Sequence, residues 1–420
     1  MQGQGDVQKD GNGASKKIHG WTGMIASQKT ILELFCGAGG LARGMENVGF
    51  EHRALVEWNN DACRTLNVNF DEDIVFNSDV REFDFSQYSG VDVISGGPPC
   101  QPFSIGGKHQ SDNDERDMFP VATNAISEIL PKAFVFENVK GLLRSSFSQY
   151  FQYIILQLTY PQFALDQKVD WKKNLKKLER LHTSETYSGA KYNVIYRLLN
   201  AADYGVPQTR ERVFIVGVRD DIGFEWSFPE KTHSLDTLLW SQYVTGEYWK
   251  RHKMSPPSTD VFDNRIQNRI KKVRDMFGLF PPADKPWRTV RDCLRDVPDP
   301  TPTPTRRGEH ELRVGARIYP GHNGSLIDLP SKTLKAGDHG VPGGENMIRF
   351  LDGTVRYFTT YEAKLIQTFP KSYHITGSWT EAMRQIGNAV PVRLAQTIGK
   401  GLIEKLQSAK STRKMSKSGR

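Results

Sequence analysis

The sequence predicts an α/β fold with a Rossmann-like, mostly parallel sheet and a second, smaller domain. From Thr30 to about Val218, apolar β-rich runs alternate with segments of helical periodicity, which is typical of parallel strands joined by crossover helices. From 219 to 352 this alternation fades, and proline and glycine become dense. Helical periodicity returns at 361–369 and 379–406, so we expect the chain to return to the first domain there.

Five β-rich runs define the predicted sheet, and helical segments follow several of them. The runs are 31–35, 52–57, 74–77, 91–95 and 133–137, and two of the helices are 41–48 and 119–130. Two later runs, 192–199 and 212–218, predict a hairpin at one edge of the sheet. Ligands of such sheets bind beyond the carboxyl ends of the strands, so the loops there are the candidate site.

The same patterns predict the division of the chain. We expect a large α/β domain built from 29–218 and 378–408, a smaller domain over 219–355, and a linking segment over 356–377. Residues 1–28 and 409–420 are polar and are predicted to be disordered, the second as a basic tail. The charged stretch 151–191 is interpreted as an insertion with a surface helix.

Composition limits the class of protein. The 420 residues are 38% hydrophobic and 25% charged, and they include no apolar run long enough to cross a membrane. We therefore expect a cytoplasmic protein without a membrane partner. The four cysteines (Cys36, Cys63, Cys100 and Cys293) form no CxxC pair, so no metal site is predicted. A net charge of +8 favours polyanionic partners, although a solubilising excess of charge explains it equally well.

A glycine-rich turn follows the first predicted strand. Segment 31–40 places Gly37, Ala38, Gly39 and Gly40 between a strand and a helix N-terminus, where free N–H groups can cradle a nucleotide-like ligand. Glu57 ends the next strand and can accept from ribose hydroxyls; Trp58 offers a flat face to an adenine, and Asp79 can accept from its amino group. A dinucleotide site is less consistent, because the third glycine of G-x-G-x-x-G is misplaced.

The second candidate loop carries a cysteine. It reads Gly96-Gly97-Pro98-Pro99-Cys100-Gln101-Pro102-Phe103-Ser104 and follows the strand 91–95. A lone cysteine is more often a buried packing residue. Here two glycines and three prolines make a stiff loop at a strand end, which favours a thiolate nucleophile held in a defined place.

This loop closely resembles the catalytic loop of the cytosine-5 DNA methyltransferases, of the bacterial restriction-modification type. Four other segments resemble motifs of the same family, and all five stand in the family's order over about residues 30 to 405. They are Leu34-Phe35-Cys36-Gly37-Ala38-Gly39-Gly40, Glu137-Asn138-Val139, Gln208-Thr209-Arg210-Glu211-Arg212, and Gln385-Ile386-Gly387-Asn388-Ala389-Val390-Pro391. Five ordered motifs leave little room for coincidence.

The resemblance implies an S-adenosylmethionine-dependent methyltransferase that acts on carbon 5 of a flipped-out cytosine in duplex DNA. Cys100 would attack ring carbon 6, Glu137 would act at ring N3, and Arg210 and Arg212 would hold the base carbonyl and order the loop. For Arg210 a purely structural salt bridge is an open alternative. The implied cofactor contacts are Phe35, Gly37, Ala38, Gly39, Gly40, Glu57, Trp58, Asp79, Val80, Pro99, Asn388 and Ala389.

The region 219–355 occupies the place of the family's target-recognition domain. It contains Thr333-Leu334, which resembles a family marker, and a glycine-rich loop with Lys335 and His339 that suits a DNA groove. An ordinary surface loop explains any single one of these side chains almost as well. The predicted DNA contacts are Gln101, Ser104, Thr333, Leu334, Lys335 and His339.

Further expectations follow from the resemblance. We expect the protein to be a monomer that is associated with the nucleoid and that protects DNA. A cognate restriction endonuclease encoded nearby is possible, and we expect no stable complex between the two proteins. The main alternative is a tRNA cytosine methyltransferase, which would carry the same catalytic motifs. A non-catalytic DNA-binding relative is less consistent with Cys100, Glu137 and Arg212. A dinucleotide-dependent oxidoreductase leaves the Pro-Pro-Cys loop unexplained.

Overall fold

The structure is a computed structural model that describes seven stretches of the chain. They are 28–99, 117–166, 169–184, 186–278, 280–302, 309–336 and 344–417. Four predicted site residues, Cys100, Gln101, Ser104 and His339, lie outside the described residues. So do 1–27 and 418–420, where termini were predicted to be disordered. None of the described helices is both long and apolar enough to cross a membrane.

A seven-stranded sheet forms the centre of the described chain, with strand order β3-β2-β1-β4-β5-β7-β6. The strands are β1 (Lys29–Leu34), β2 (Phe50–Glu57), β3 (Val75–Asn77), β4 (Val93–Gly96), β5 (Ala133–Val139), β6 (Tyr192–Asn200) and β7 (Glu211–Arg219). The first five are parallel, whereas β7 runs antiparallel to β5 and β6. The predicted parallel sheet and edge hairpin are confirmed, with strand ends shifted by a few residues.

Alternate residues of the central strands enter two different apolar clusters. Leu32, Ile94 and Phe134 pack on one face, whereas Ile31 and Val93 pack on the other. Because successive side chains of a strand point to opposite faces, this alternation means that the sheet is covered on both sides. That is why the strands read as nearly continuous apolar runs.

Five α-helices are found among the described residues before β6. They are α1 (Gly40–Glu46), α2 (Asn60–Asn69), α3 (Phe119–Ile129), α4 (Ser148–Thr159) and α5 (Trp171–Ser184). The stretch 151–191 was predicted to be an insertion with one surface helix, and this is wrong for α4. Ile154 and Leu158 of α4 are fully buried in the apolar core on one face of the sheet. Of the two helices, only α5 is therefore a surface helix.

The region after β7 contains short elements. Its helices are α6 (Leu235–Tyr243), α7 (Glu247–Arg251), α8 (Asn264–Phe277) and α9 (Val290–Leu294), and its strands are β8 (His233–Ser234), β9 (Lys285–Pro286), β10 (Ser325–Leu326), β11 (Met347–Arg349) and β12 (Val355–Tyr357). A buried polar contact ties the region together. Asp328 accepts from Arg291 at 2.6 Å and from the Tyr248 hydroxyl at 2.7 Å.

Three helices end the described chain: α10 (Thr360–Ile366), α11 (Trp379–Asn388) and α12 (Val392–Lys417). The predicted return to the sheet is seen directly in α12, which crosses α1. A Cβ on Gly44 would lie 2.4 Å from the Ala395 side chain, so glycine is required for this approach. The helix continues to Lys417, past residue 409, where a disordered tail was expected to begin. No glycine or proline lies between residues 409 and 417, so nothing in that segment of the sequence ends the helix.

Candidate active site

The carboxyl ends of β1, β2, β4 and β5 meet at one edge of the sheet, and β7 begins there. Val139 of β5 pairs with Arg212 of β7, and Leu34 of β1 pairs with Gly96 of β4. The glycine-rich turn, the Pro-Pro loop, the predicted catalytic carboxylate and the paired arginines are therefore brought to one edge, as the motif positions predicted.

The glycine-rich turn is held by the carboxylate of Glu57. Its Oε2 accepts from the Gly37 N–H at 2.7 Å, and its Oε1 accepts from the Asn59 N–H at 2.9 Å. Burial raises the pKa of Glu57, while these backbone donors act in the opposite direction. Glu57 thus has a structural role in shaping the turn, besides its predicted role toward a ribose.

The turn is closed on one side and open on the other. A Cβ on Gly40 would lie 2.2 Å from the Val390 carbonyl, so this glycine admits the C-terminal motif, including Asn388 and Ala389, close to the turn. Gly37 has a φ of +53°, and a Cβ there would meet nothing within 4 Å. The open side is a cradle with space for a ligand against the backbone.

Two polar or aromatic side chains border this cradle. Trp58 is 73% exposed directly after Glu57, which leaves its ring face available to a flat ligand. Asp79 caps a short turn that begins at Val80, and its Oδ1 accepts from the Arg81 N–H at 2.9 Å. The arginine side chain lowers the pKa of Asp79. These features fit an adenosine-bearing cofactor such as S-adenosylmethionine.

Glu137 is the buried carboxylate of the site. It lies near the end of β5, is 8% exposed, and has its Oε1 2.7 Å from Arg212 Nε. This charge-assisted contact holds the carboxylate in place beside Arg212. Burial raises the pKa of Glu137, although Arg212 and Arg210 oppose the shift. A carboxyl that holds its proton longer than usual suits donation to a base.

The Pro-Pro loop is anchored beside this carboxylate. Asn138 Nδ2 donates to the Pro98 carbonyl at 3.0 Å, and the Met118 N–H donates to the Pro99 carbonyl at 3.1 Å. A Cβ on Gly97 would lie 3.4 Å from Glu137 Oε2, so glycine leaves room for the carboxylate. The backbone immediately before Cys100 is thus fixed next to Glu137, although Cys100 itself lies outside the described residues.

Asn138→Ala is expected to lower the rate constant for methyl transfer about 10-fold to 100-fold, because misplacement of a reacting group by an ångström can have an effect of that order. Single-turnover kinetics with saturating DNA would measure it. Asn124→Ala is the matched control, since its side chain only contacts Glu128 on an exposed helix face. Equal rates for the two variants would contradict the anchoring role of Asn138.

Arg210 differs from its predicted role at the base carbonyl. Its side chain is fully buried, with Nη2 donating to the Gly387 carbonyl at 2.7 Å and Nη1 to the Leu334 carbonyl at 3.2 Å. Both terminal nitrogens of the guanidinium are thereby engaged with peptide carbonyls, whereas Nε is buried without a partner among the described residues. The alternative of a structural residue describes it better, although its partners are peptide carbonyls rather than a carboxylate.

The predicted DNA contacts at 333–335 have three different environments. Thr333 Oγ1 donates to the Thr209 carbonyl at 2.8 Å, and the exposed Lys335 forms a 2.7 Å ion pair with Glu345. Leu334 is 0% exposed and packs in the core around α10 and α11. Its side chain is therefore unavailable to DNA, which corrects the prediction, because the apolar side chain is buried rather than presented to solvent.

Two contributors to the site were missed. Gln208 accepts from the Leu334 N–H at 3.0 Å and donates to Gln367 Oε1 at 3.1 Å, and so joins region 219–355 to the residue after α10. The buried Tyr373 hydroxyl donates to the Ala38 carbonyl at 2.7 Å and thereby holds the glycine-rich turn in place. Gln208 belongs to the 208–212 motif, which gave a signal for it, whereas no sequence pattern marks Tyr373.

Comparisons with known proteins agree with this geometry. The family model for C-5 cytosine-specific DNA methylase matches residues 29–169 and 168–404. The Type II methyltransferase M.Eco47II of Escherichia coli is 31% identical over 386 residues, which cover 90% of this chain and 79% of that protein. M.NgoMIV of Neisseria gonorrhoeae, also a Type II methyltransferase, is 29% identical over 90% of this chain and 99% of its own.

A similar fold is found among solved structures. A crystal structure described as that of an Escherichia coli prophage-encoded DNA modification methyltransferase superimposes with a TM-score of 0.54. The two chains are 20% identical, and the match covers 90% of this chain and 99% of the other. At that identity the likeness bears on the fold, and it agrees with the Rossmann-like sheet.

Proposed function

This chain belongs to the family of C-5 cytosine-specific DNA methylases, and from that premise we propose that Cys100 and Glu137 carry out its reaction on a flipped-out cytosine. The chain methylates DNA cytosine at carbon 5, as in restriction-modification systems, and uses S-adenosylmethionine. The observation that carries the proposal is the anchoring of the Pro98 carbonyl by Asn138, the residue after the buried Glu137.

The chemistry requires both groups. Carbon 5 of cytosine is a poor nucleophile until a thiolate adds to carbon 6 and gives the ring enamine character. Cys100 forms that carbon–sulfur bond, and Glu137 shares a proton with ring N3 so that negative charge does not build up there. Arg212, 2.7 Å from the carboxylate, keeps it oriented toward the base. Because these groups lie at a sheet edge, the target must leave the duplex at a cost of a few kcal/mol.

S-adenosylmethionine, when bound, supplies the methyl group that carbon 5 accepts. The residues that would hold it are those of the cradle, namely Gly37, Gly39, Glu57, Trp58 and Asp79. Loss of the proton from carbon 5 then restores the aromatic ring and expels the Cys100 thiolate. We expect a water to take that proton.

The proposal also covers the domain organisation, the partners and the cellular location of the enzyme. Region 219–355 acts as the target-recognition domain, and 29–218 with 378–408 as the catalytic and cofactor domain, joined by 356–377. The enzyme acts on a specific duplex sequence, as a DNA (cytosine-5-)-methyltransferase that is monomeric, cytoplasmic and associated with the nucleoid. A cognate restriction endonuclease is encoded nearby without a stable complex. The basic net charge of +8 supports association with DNA.

Bisulfite sequencing of DNA from cells that express the chain tests this function. A single methylated sequence motif is the expected result, and a Cys100→Ala variant is expected to leave that motif unmethylated. Cys293→Ala is the matched control, because this cysteine lies in the recognition region and is expected to be dispensable. Methylation by Cys100→Ala would remove the proposed nucleophile. Methylation of tRNA alone would instead favour the RNA enzyme as the second candidate.

A further inference from the structure

A basic cleft lies in the recognition region, apart from the cofactor cradle. It encloses about 560 Å³ between the N-terminal parts of α6 and α8, with Trp287 and Asp203 also in its lining. We propose that this cleft binds the phosphodiester backbone of the substrate duplex several base pairs from the target cytosine. The proposal rests on the function above and extends it to the flanking DNA.

The charge of the cleft favours a polyanion. Four cationic side chains face two carboxylates, which leaves a net of two positive charges. Arg269 is not available, because it forms two 2.6 Å hydrogen bonds with Asp236. Lys231 lies 3.7 Å from Asp284, a loose pair at an exposed position.

Two cations of α8 are left for a ligand. Arg265 and Lys272 are exposed, and no carboxylate among the described residues lies within ion-pair distance of either. They are seven positions apart, so they share a helix face and are about 10 Å apart along its axis. That distance is about three nucleotides of one DNA strand.

The position of the cleft fits DNA that also reaches the active site. Asp203 follows the end of β6, where Asn200 pairs with Glu211, the residue before Arg212. Arg212 in turn pairs with Val139 at the active-site edge. From β5 across β7 to β6 is two strand spacings, or about 10 Å. A duplex with its target at Glu137 that extends toward β6 therefore brings phosphates about three or more base pairs away to this cleft.

Adjacent lysines on α8 provide a matched test. Lys272 lines the cleft, whereas its neighbour Lys271 is equally exposed on the same helix but does not. The dissociation constant of the full chain for a labelled duplex of about 40 base pairs is measured over a series of salt concentrations. Each phosphate contact contributes about 0.9 to the slope of log affinity against log salt. Lys272→Ala and Arg265→Ala should each lower that slope by about one, and Lys271→Ala should leave it unchanged.

A second arm uses a short duplex that carries the methylated motif and ends about three base pairs from the target. There Lys272→Ala and Lys271→Ala should give equal slopes. Equal slopes for Lys272→Ala and Lys271→Ala on the long duplex would overturn the inference. A difference between these two variants that persists on the short duplex would also overturn it. Binding of inorganic pyrophosphate that Lys272→Ala abolishes, with DNA slopes unchanged, would instead make the cleft a small-anion site and also overturn it. Methyl transfer by the wild type, assayed in parallel, tests the proposed function separately.

Discussion

Glu137→Gln is expected to lower the rate constant for methyl transfer by about 10²–10⁴, the usual range for loss of a positioned acid or base. Glutamine keeps the size of the side chain, can still contact Arg212, and can donate an amide hydrogen bond to ring N3, but it cannot transfer a proton to that nitrogen. Cofactor affinity should change little, because the cradle does not contain this residue. Single-turnover methyl transfer under saturating conditions is the appropriate measurement.

The pH profile gives this prediction its second readout. Burial raises the pKa of Glu137, so its protonated form persists to higher pH than for an ordinary glutamate and is lost as pH rises through that value. Wild-type activity should therefore fall on the alkaline side, and Glu137→Gln should lack that fall. Glu211→Gln is the control, because this exposed carboxylate only pairs with Lys140 at 2.8 Å. A Glu137→Gln enzyme with wild-type rate and profile would rule out the proton-sharing role.

Arg210→Met is expected to destabilise the protein by about 2–6 kcal/mol. The substitution keeps an unbranched side chain but leaves the carbonyls of Leu334 and Gly387 without their donor, and each buried unsatisfied group costs about 1–3 kcal/mol. Urea denaturation followed by fluorescence would measure the change in the free energy of unfolding.

A matched arginine tests whether the effect comes from burial. Arg53 is exposed and only pairs with Glu51 at 3.2 Å, so Arg53→Ala should change stability by less than about 0.5 kcal/mol. If Arg210→Met is no less stable than Arg53→Ala, the carbonyl contacts of Arg210 are not important for stability. Because Arg210 joins the recognition region to α11, we also expect its loss to weaken cofactor and DNA binding together.

The sheet could be predicted from the sequence because its strands are buried on both faces. Ala133 to Phe136 are all fully buried, and such a run is recognisable without any knowledge of its neighbours. The two-residue strands β8 and β9 have no pattern of their own, and they pair only because the chain brings 233–234 beside 285–286. The helix α4 was misassigned because the charges that follow it in α5 concealed its buried residues.

Candidate site residues are recognisable in the sequence where the chemistry requires one residue type, and less so where a contact joins distant segments. Glu137 and the cofactor glycines stand out because few side chains can replace them. The carbonyl contacts of Arg210 span 124 and 177 residues, and nothing local distinguishes a buried arginine from one that faces a base. Leu334 illustrates the converse, since a motif position next to residues that are predicted to contact DNA can belong to the core.

The packing of α12 on α1 has a consequence for the order in which the protein can fold during synthesis. Leu41 and Met45 of α1 share an apolar cluster with Leu394, Ile398 and Leu402 of α12, about 350 residues later. Until α12 leaves the ribosome, one face of the sheet lacks part of its apolar cover, which α1 and residues such as Trp226 and Phe228 provide only in part. The recognition region, which is complete earlier, is therefore synthesised while the nascent sheet exposes apolar surface of the kind that chaperones bind.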